Sequence, residues 1–255
     1  MHNKALNKNV QIHDSFNTKH TDMKEKKMRA AHDLAGEESS SSNGPSQHEE
    51  EIGRVGPDDF MPLKILGSGS FGEVYLVREI RTGELFAMKV LTKAKIFRNN
   101  LVRYAKTERD VLSYTRHPFI VGLNYAFQTE TKLFLILDFC PGGDLGRVLQ
   151  REGRLNEERA RKYLCEVLLA IEALHKRDII FRDLKPDNVV IDTDGHACLT
   201  DFGLSKEGVF DPSRGAKSFC GSVAYLAPEM IRKAGHGKSV DWYLLGVLLY
   251  EMIVG

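Results

Sequence analysis

A short polar stretch set between two apolar runs constrains this chain more than any other feature. Phe181-Arg182-Asp183-Leu184-Lys185-Pro186-Asp187-Asn188 follows Ile179-Ile180 and precedes Val189-Val190-Ile191. That pattern predicts a tight polar loop pinned between two buried strands. An Asp, a Lys and an Asn so close together can serve as proton acceptor, phosphate contact and metal ligand. The same residues also suit a plain turn with a salt bridge and an Asx cap. The octet alone does not decide between the two.

The surrounding composition narrows the classes. With 42% hydrophobic and 28% charged residues in 255, the chain has enough apolar content for a sizeable core. A formal net charge of +1 gives no electrostatic footprint for nucleic acid, so none is expected as a partner. Cys140, Cys165, Cys198 and Cys220 lie far apart, with neither zinc-ligand spacing nor a disulfide framework. A reducing setting fits them, the cytoplasm first and the nucleus second. The start of the sequence shows no apolar signal segment, and residue 2 is His rather than the Gly that myristoylation needs. The most apolar run, from Trp242 to Gly255, contains Glu251 and is too short to span a bilayer. It reads as a buried helix, and no membrane segment is expected.

Residues 1–56 are poor in apolar side chains and include Ser39-Ser40-Ser41-Ser42-Asn43-Gly44-Pro45 and Glu49-Glu50-Glu51. Such a segment cannot bury enough surface to offset its ordering entropy, so a disordered tail is expected there. Residues 57–255 form the expected folded domain. β-rich runs occur at Leu63–Leu66, Val74–Val77 and Leu85–Val90, then at Leu123–Gln128 and Leu133–Asp138. A helical pattern lies between them at about 102–115, ended by His117-Pro118. After Pro141-Gly142-Gly143 the pattern becomes helical, at Leu145–Gln150 and Asn156–Arg177, with Asn156 as N-cap. The fold class is therefore α+β. A small five-stranded β lobe with one main helix (57–140) precedes a mostly helical large lobe (141–255), and a cleft between two lobes is a usual ligand site.

Three further motifs carry chemistry. Gly67-Ser68-Gly69-Ser70-Phe71-Gly72 joins two strands. That placement excludes the dinucleotide and Walker loops, which open a helix, and leaves either an anion cradle or a flexible hairpin. Lys89 sits in the apolar strand Ala87-Met88-Lys89-Val90 and needs a counter-charge unless it is exposed; Glu108 is a candidate. Thr200-Asp201-Phe202-Gly203 follows the strand-like Ala197-Cys198-Leu199 and reads as a metal-holding strand end or as a turn.

In their order and spacing these pieces resemble the eukaryotic protein kinase family. Lys89 and Glu108 are 19 residues apart, Asp183 and Asp201 are 18 apart, and Ala227-Pro228-Glu229 follows. Arg182-Asp183-Leu184-Lys185-Pro186-Asp187-Asn188, Ser218-Phe219-Cys220-Gly221-Ser222 and Val240-Asp241-Trp242-Tyr243 are similar to the AGC group of Ser/Thr kinases. The resemblance implies ATP and Mg²⁺ as cofactors and protein Ser/Thr hydroxyls as substrates. It implies Asp183 as proton acceptor, Lys185 on the γ-phosphate, Asn188 and Asp201 as Mg²⁺ ligands, and Lys89, paired with Glu108, on the other phosphates. The nucleotide pocket would comprise Leu66, Gly67, Ser68, Gly69, Ser70, Phe71, Gly72, Glu73, Val74, Ala87, Leu137, Asp138, Cys140, Val190 and Thr200. Ser218, 11 residues before Glu229, would be a regulatory phosphosite read by Arg182 and Lys206, which implies an upstream activating kinase. Asp144, Asp187 and Glu251 would meet basic residues upstream of the target hydroxyl, with Ser222 touching Asp183; Asp144 also suits a helix N-cap. A monomer is expected.

Several residues depart from the family pattern. Phe181 replaces the usual His or Tyr at a packing position, Val223-Ala224 replaces a Pro-Glu-like pair, and Tyr104 stands where a phosphate-reaching His is common. The resemblance runs to Gly255, so further large-lobe helices and a C-terminal tail are expected in a complete protein of this kind. The rival expectation is a catalytically inactive nucleotide-binding fragment that acts as a scaffold.

Overall fold

A computed structural model describes residues 55–69, 72–216, 218 and 220–255. The expected tail, apart from Val55 and Gly56, lies outside the described residues, as do Ser70 and Phe71 of the glycine loop. Order reaches at least to Val55, which packs on the small-lobe core. Gly56 donates its N–H to Asp59 Oδ2 at 2.7 Å.

Five strands form one antiparallel sheet: β1 (Phe60–Ser68), β2 (Gly72–Glu79), β3 (Leu85–Thr92), β4 (Leu123–Gln128) and β5 (Lys132–Asp138). Their order is β1-β2-β3-β5-β4. Side-chain alternation divides the sheet between two cores. Phe86, Met88, Val90, Phe134 and Ile136 face an aromatic cluster with Phe60 and Phe127, while Leu91, Leu133, Leu135 and Leu137 join the main core shared with the large lobe. β5 is buried on both faces from Leu133 to Leu137, which is why its sequence is a continuous apolar run rather than an alternating one.

The expected main helix is α2 (Val102–Tyr114), and it is preceded by a short helix, α1 (Lys93–Arg98), that sequence periodicity missed. In the large lobe, α3 (Leu145–Glu152) and α4 (Glu157–His175) are each capped as their sequences ask. Asp144 Oδ1 accepts the Arg147 N–H at 2.8 Å, and Asn156 Oδ1 accepts the Arg159 N–H at 2.9 Å. Two more helices follow, α5 (Pro228–Ile231) and α6 (Ser239–Val254), and α6 packs on α4. A small second sheet joins β6 (Gly143–Asp144), β7 (Val189–Ile191) and β8 (Ala197–Leu199). The polar octet is thus bounded by a strand only on its C-terminal side. Ile180 makes a single bridge to Lys206 and no strand, because its neighbours turn to hydrogen-bond α6 instead. No helix among the described residues is long and apolar enough to cross a membrane.

Candidate active site

The cleft between the sheet and the large lobe has a volume of about 1200 Å³. Leu66, Val74, Ala87 and Leu137 line it from the small lobe, and Asp138, Cys140, Val190, Thr200 and Asp201 line it on the other sides. Gly67, Ser68, Gly69 and Gly72 form its roof. The glycines there do different jobs. A Cβ on Gly72 would collide with the Val90 carbonyl, so that glycine serves the close approach of β2 to β3. Nothing lies within 4 Å of a Cβ built on Gly67, and on Gly69 only the Gly72 carbonyl does, at 3.9 Å. These two glycines therefore leave space for a ligand rather than for the protein. Glu73 is exposed, bonded to the Tyr75 hydroxyl and outside the cleft lining. Strand alternation turns Glu73 away when Gly72 and Val74 face inward.

Lys89 lies on the same face of β3 as Ala87 and Leu91, so its apolar strand delivers an ammonium into the cleft. Its Nζ is 2.6 Å from Glu108 Oε1 on α2 and 3.3 Å from Asp201 Oδ1. Burial works against the Lys89 charge, but the two carboxylates outweigh it and hold the amine well above its ordinary range. Asp201 is held below the usual carboxylate range, chiefly by Lys89, with help from the Gly203 N–H. Burial pushes the Glu108 carboxyl up while Lys89 pulls the other way. The result is a charged lysine shared between both lobes.

Across the cleft, Lys185 Nζ is 3.4 Å from Asp183 Oδ2 and donates to Ser222 Oγ at 3.0 Å. Ser222 therefore reaches Asp183 through Lys185, and no direct Ser222–Asp183 hydrogen bond exists among the described residues. Asn188 Nδ2 donates to the Asp183 carbonyl at 2.7 Å and to Asp183 Oδ2 at 2.9 Å. Both amide hydrogens are thus committed, which leaves Asn188 Oδ1 to accept from, or ligate, a cation. With the Asp201 carboxylate this gives two hard oxygen donors, the sparse protein set that suits Mg²⁺ when phosphates and waters fill the remaining positions. No group of three or more His, Cys, Asp or Glu side chains fit to hold a metal occurs among the described residues.

The loop is held by a residue whose role the sequence did not disclose. Asp241, at the start of α6, is fully buried. Its Oδ2 accepts the Phe181 N–H at 2.8 Å and its Oδ1 accepts the Arg182 N–H at 2.7 Å. His175 Nε2 lies 2.8 Å from Oδ2, so this nitrogen carries the proton. Phe181 packs edge-on against Phe202 with ring centroids 5.2 Å apart, as its packing reading requires. Arg182 takes φ 71° and Asp201 φ 62°, both left-handed, so two non-glycine residues of the site are strained.

Arg182 is itself buried, and its Nη1 donates to Ser218 Oγ at 2.6 Å while its Nε donates to the Leu204 carbonyl at 2.8 Å. Lys206 donates to the Gly215 carbonyl. Burial, then Arg182 and Arg103, push the Lys206 amine down, which marks a local excess of positive charge. Ser218 is exposed.

A family model for the protein kinase domain matches residues 60–255. The chain belongs to the protein kinase family. A RAC family serine/threonine-protein kinase homolog of Dictyostelium discoideum is 49% identical over 202 residues, covering 79% of this chain and 46% of that protein. The Arabidopsis thaliana serine/threonine-protein kinase AtPK1/AtPK6 is 49% identical over 203 residues, 80% of this chain and 43% of its own. Human ribosomal protein S6 kinase alpha-2 is 50% identical over 205 residues, 79% and 28% respectively. The AGC placement agrees with these relatives. The chain spans less than half the length of each of the three.

The kinase domain brings Lys89, Glu108, Asp183, Lys185, Asn188 and Asp201 together at one cleft. Asp144 and Asp187 lie at its mouth. Glu251 stands apart from the lining and accepts the Tyr225 hydroxyl at 2.5 Å. Val121, Leu204 and Arg147 also line the cleft and were not expected to.

Proposed function

We propose that this domain is an ATP- and Mg²⁺-dependent protein serine/threonine kinase. The observation that carries the reading is the convergence of Lys89, Asp183, Lys185, Asn188 and Asp201 beneath a glycine roof that leaves space beside Gly67 and Gly69.

Bound ATP and Mg²⁺ would supply the activated phosphoryl group and neutralise its charge. Asn188 Oδ1 and the Asp201 carboxylate would hold the cation. Lys89, kept charged by Glu108 and Asp201, would orient the nucleotide phosphates. Asp183 accepts the hydrogen bond of the substrate hydroxyl and takes its proton as the oxygen–phosphorus bond forms and the bond to ADP breaks. Asn188 fixes the Asp183 carboxylate so that its remaining lone pairs face the cleft. Lys185, beside Asp183, steadies the transferring group without consuming the acceptor. Preorganised charge of this kind supplies most of the rate in phosphoryl transfer.

Regulation by phosphorylation of Ser218 belongs to the same proposal. The Ser218 hydroxyl already contacts a buried guanidinium, and Lys206 is near Arg182. A phosphate there adds about −1.5 to −2 charge where the balance is positive. A separate activating kinase would install it. Asp144 and Asp187 favour peptides with Arg or Lys a few residues before the acceptor.

A radiometric assay with ATP, Mg²⁺ and a basic Ser-containing peptide tests the reading, with Asp183→Asn as control. Transfer that falls at least a hundred-fold in Asp183→Asn supports it. Nucleotide binding without transfer by the Ser218-phosphorylated protein would establish the scaffold reading instead.

A further inference from the structure

Arg147 occupies a place that helix stability does not explain. It lies in the first turn of α3 and is exposed, and a cation there opposes the helix dipole. Its guanidinium nevertheless has two partners on opposite sides of the cleft mouth. Nε lies 3.0 Å from Asp144 Oδ2 in the large lobe, and Nη2 donates at 3.1 Å to the Leu66 carbonyl at the root of the glycine roof. The Leu66 carbonyl tethers the guanidinium over Asp144, although the side chain stays 67% exposed.

The surrounding charge gives that contact a consequence. Gly146 sits under the carboxylates of Asp144 and Asp187, with a Cβ there 3.3 Å from Asp144 Oδ1 and 3.5 Å from Asp187 Oδ1. Two carboxylates therefore converge above the start of α3. Oδ1 of Asp144 is engaged by the Arg147 N–H as a cap, and Oδ2 faces the Arg147 guanidinium. An incoming substrate guanidinium meets an acid whose free oxygen is already occupied, while Asp187 carries no such partner among the described residues.

We propose that Arg147 is a specificity-determining residue: it stands on Asp144 as an internal guanidinium that a basic substrate side chain must displace. This rests on the reading of Asp144 and Asp187 as the acids that meet upstream basic residues. The competition lowers the premium this site places on arginine. It also ties the choice to cleft geometry, because the displaced Arg147 loses its anchor on Asp144 while keeping only the Leu66 carbonyl.

The test compares kcat/KM for two peptides that differ only in Arg or Ala upstream of the acceptor Ser. Arg147→Met keeps the aliphatic stem and removes the charge. Arg151→Met removes the same charge one turn further along α3, where the side chain pairs with Glu152 instead. Arg147→Met is expected to raise the Arg-over-Ala ratio roughly two- to five-fold, what a surface ion pair is worth. Arg151→Met should leave the ratio at the wild-type value, and Arg147→Lys should restore most of it. Equal ratios in Arg147→Met and Arg151→Met, or a lower ratio in Arg147→Met, would overturn the proposal. If the wild type phosphorylates neither peptide, the kinase reading fails separately, and peptide dissociation constants from fluorescence anisotropy, with a non-hydrolysable ATP analogue present, decide the Arg147 competition by the same ratio.

Discussion

Asp241→Asn should unfasten the catalytic-loop sequence from α6, and the cost can be worked from the contacts. The carboxylate accepts three donors: the Phe181 and Arg182 N–H groups and His175 Nε2. Asparagine offers one oxygen and one NH₂. In its better orientation the oxygen keeps Phe181 and His175, and the NH₂ faces the Arg182 N–H. One buried backbone donor is then unsatisfied, which costs about 1–3 kcal/mol. The two surviving bonds lose their anionic acceptor and about half their strength, adding roughly 1–2 kcal/mol. A total of about 2–5 kcal/mol is a large part of the 5–15 kcal/mol typical of a domain. With a urea slope of about 2–3 kcal/mol per molar, the unfolding midpoint should fall by roughly 1–2 M. Trp242 is the only tryptophan and lies edge-on to His175 with ring centroids 4.8 Å apart, so its fluorescence reports this junction directly. Far-UV circular dichroism provides the second probe. A midpoint within about 0.3 M of wild type would refute the assignment of Asp241 as the loop's anchor, since that corresponds to less than 1 kcal/mol.

Other perturbations separate the remaining roles. Gly72→Ala places a Cβ on the Val90 carbonyl and should destabilise by about 2–4 kcal/mol, whereas Gly67→Ala, in open space, should leave stability within about 0.5 kcal/mol and weaken nucleotide binding; urea titration and nucleotide calorimetry read the contrast. Glu166 joins α4 to β8 by accepting the Ala197 N–H at 2.8 Å and meeting His196 Nδ1 at 2.7 Å, so Glu166→Ala should cost about 2–3 kcal/mol in urea unfolding. Ser218→Ala should abolish the activation that an upstream kinase confers, as measured by peptide phosphorylation before and after treatment. Because Lys89 holds the Asp201 pKa down, the pair's stabilising contribution is present above the ordinary carboxylate pKa and is lost as pH falls through the lowered one. Lys89→Met should move the Asp201 carboxyl ¹³C titration back up toward the ordinary range.

What the sequence made legible was chemistry carried by local words. The glycine loop, the polar octet and Asp201-Phe202-Gly203 each bring their residues within a few positions of one another, and the apolar strand around Lys89 advertised the need for Glu108. The five-strand sheet followed from runs long enough to show their pattern. The apolar triplets of β7 and β8 were legible as short strands, whereas β6, only two residues long, is too short for any pattern to register. The Asp241 anchor joins positions 59 and 60 residues apart, and the Arg147 contact with Leu66 spans 81. No local pattern encodes such pairs. Asp144 caps α3 as its N-cap reading expects, with Oδ1 on the Arg147 N–H, while its Oδ2 faces the Arg147 guanidinium.

The two left-handed residues of the site show why these distant contacts matter to function. A non-glycine residue in that region costs about 1–3 kcal/mol and persists only where its surroundings over-determine it. Arg182 is held there from the large lobe, by Asp241 on its N–H and by the Leu204 carbonyl on its side chain. Asp201 is held by Lys89 from the small lobe, and Lys89 is positioned in turn by Glu108 on α2. The support that Asp201 draws from Lys89 therefore lasts only while Glu108 on α2 stays paired with that lysine, whereas Arg182 is held within the large lobe, by Asp241 on α6 and by the Leu204 carbonyl. Moving α2 outward by a few ångströms would take Glu108 from Lys89, loosen Lys89 from Asp201 and weaken what holds the Asp201 carboxylate, the proposed Mg²⁺ ligand, in its strained conformation. The loop that carries Asp183 would remain anchored. Loss of activity through α2 should accordingly appear as weakened Mg²⁺ and nucleotide binding with the stability reported by Trp242 unchanged, while loss through Asp241 should lower both together.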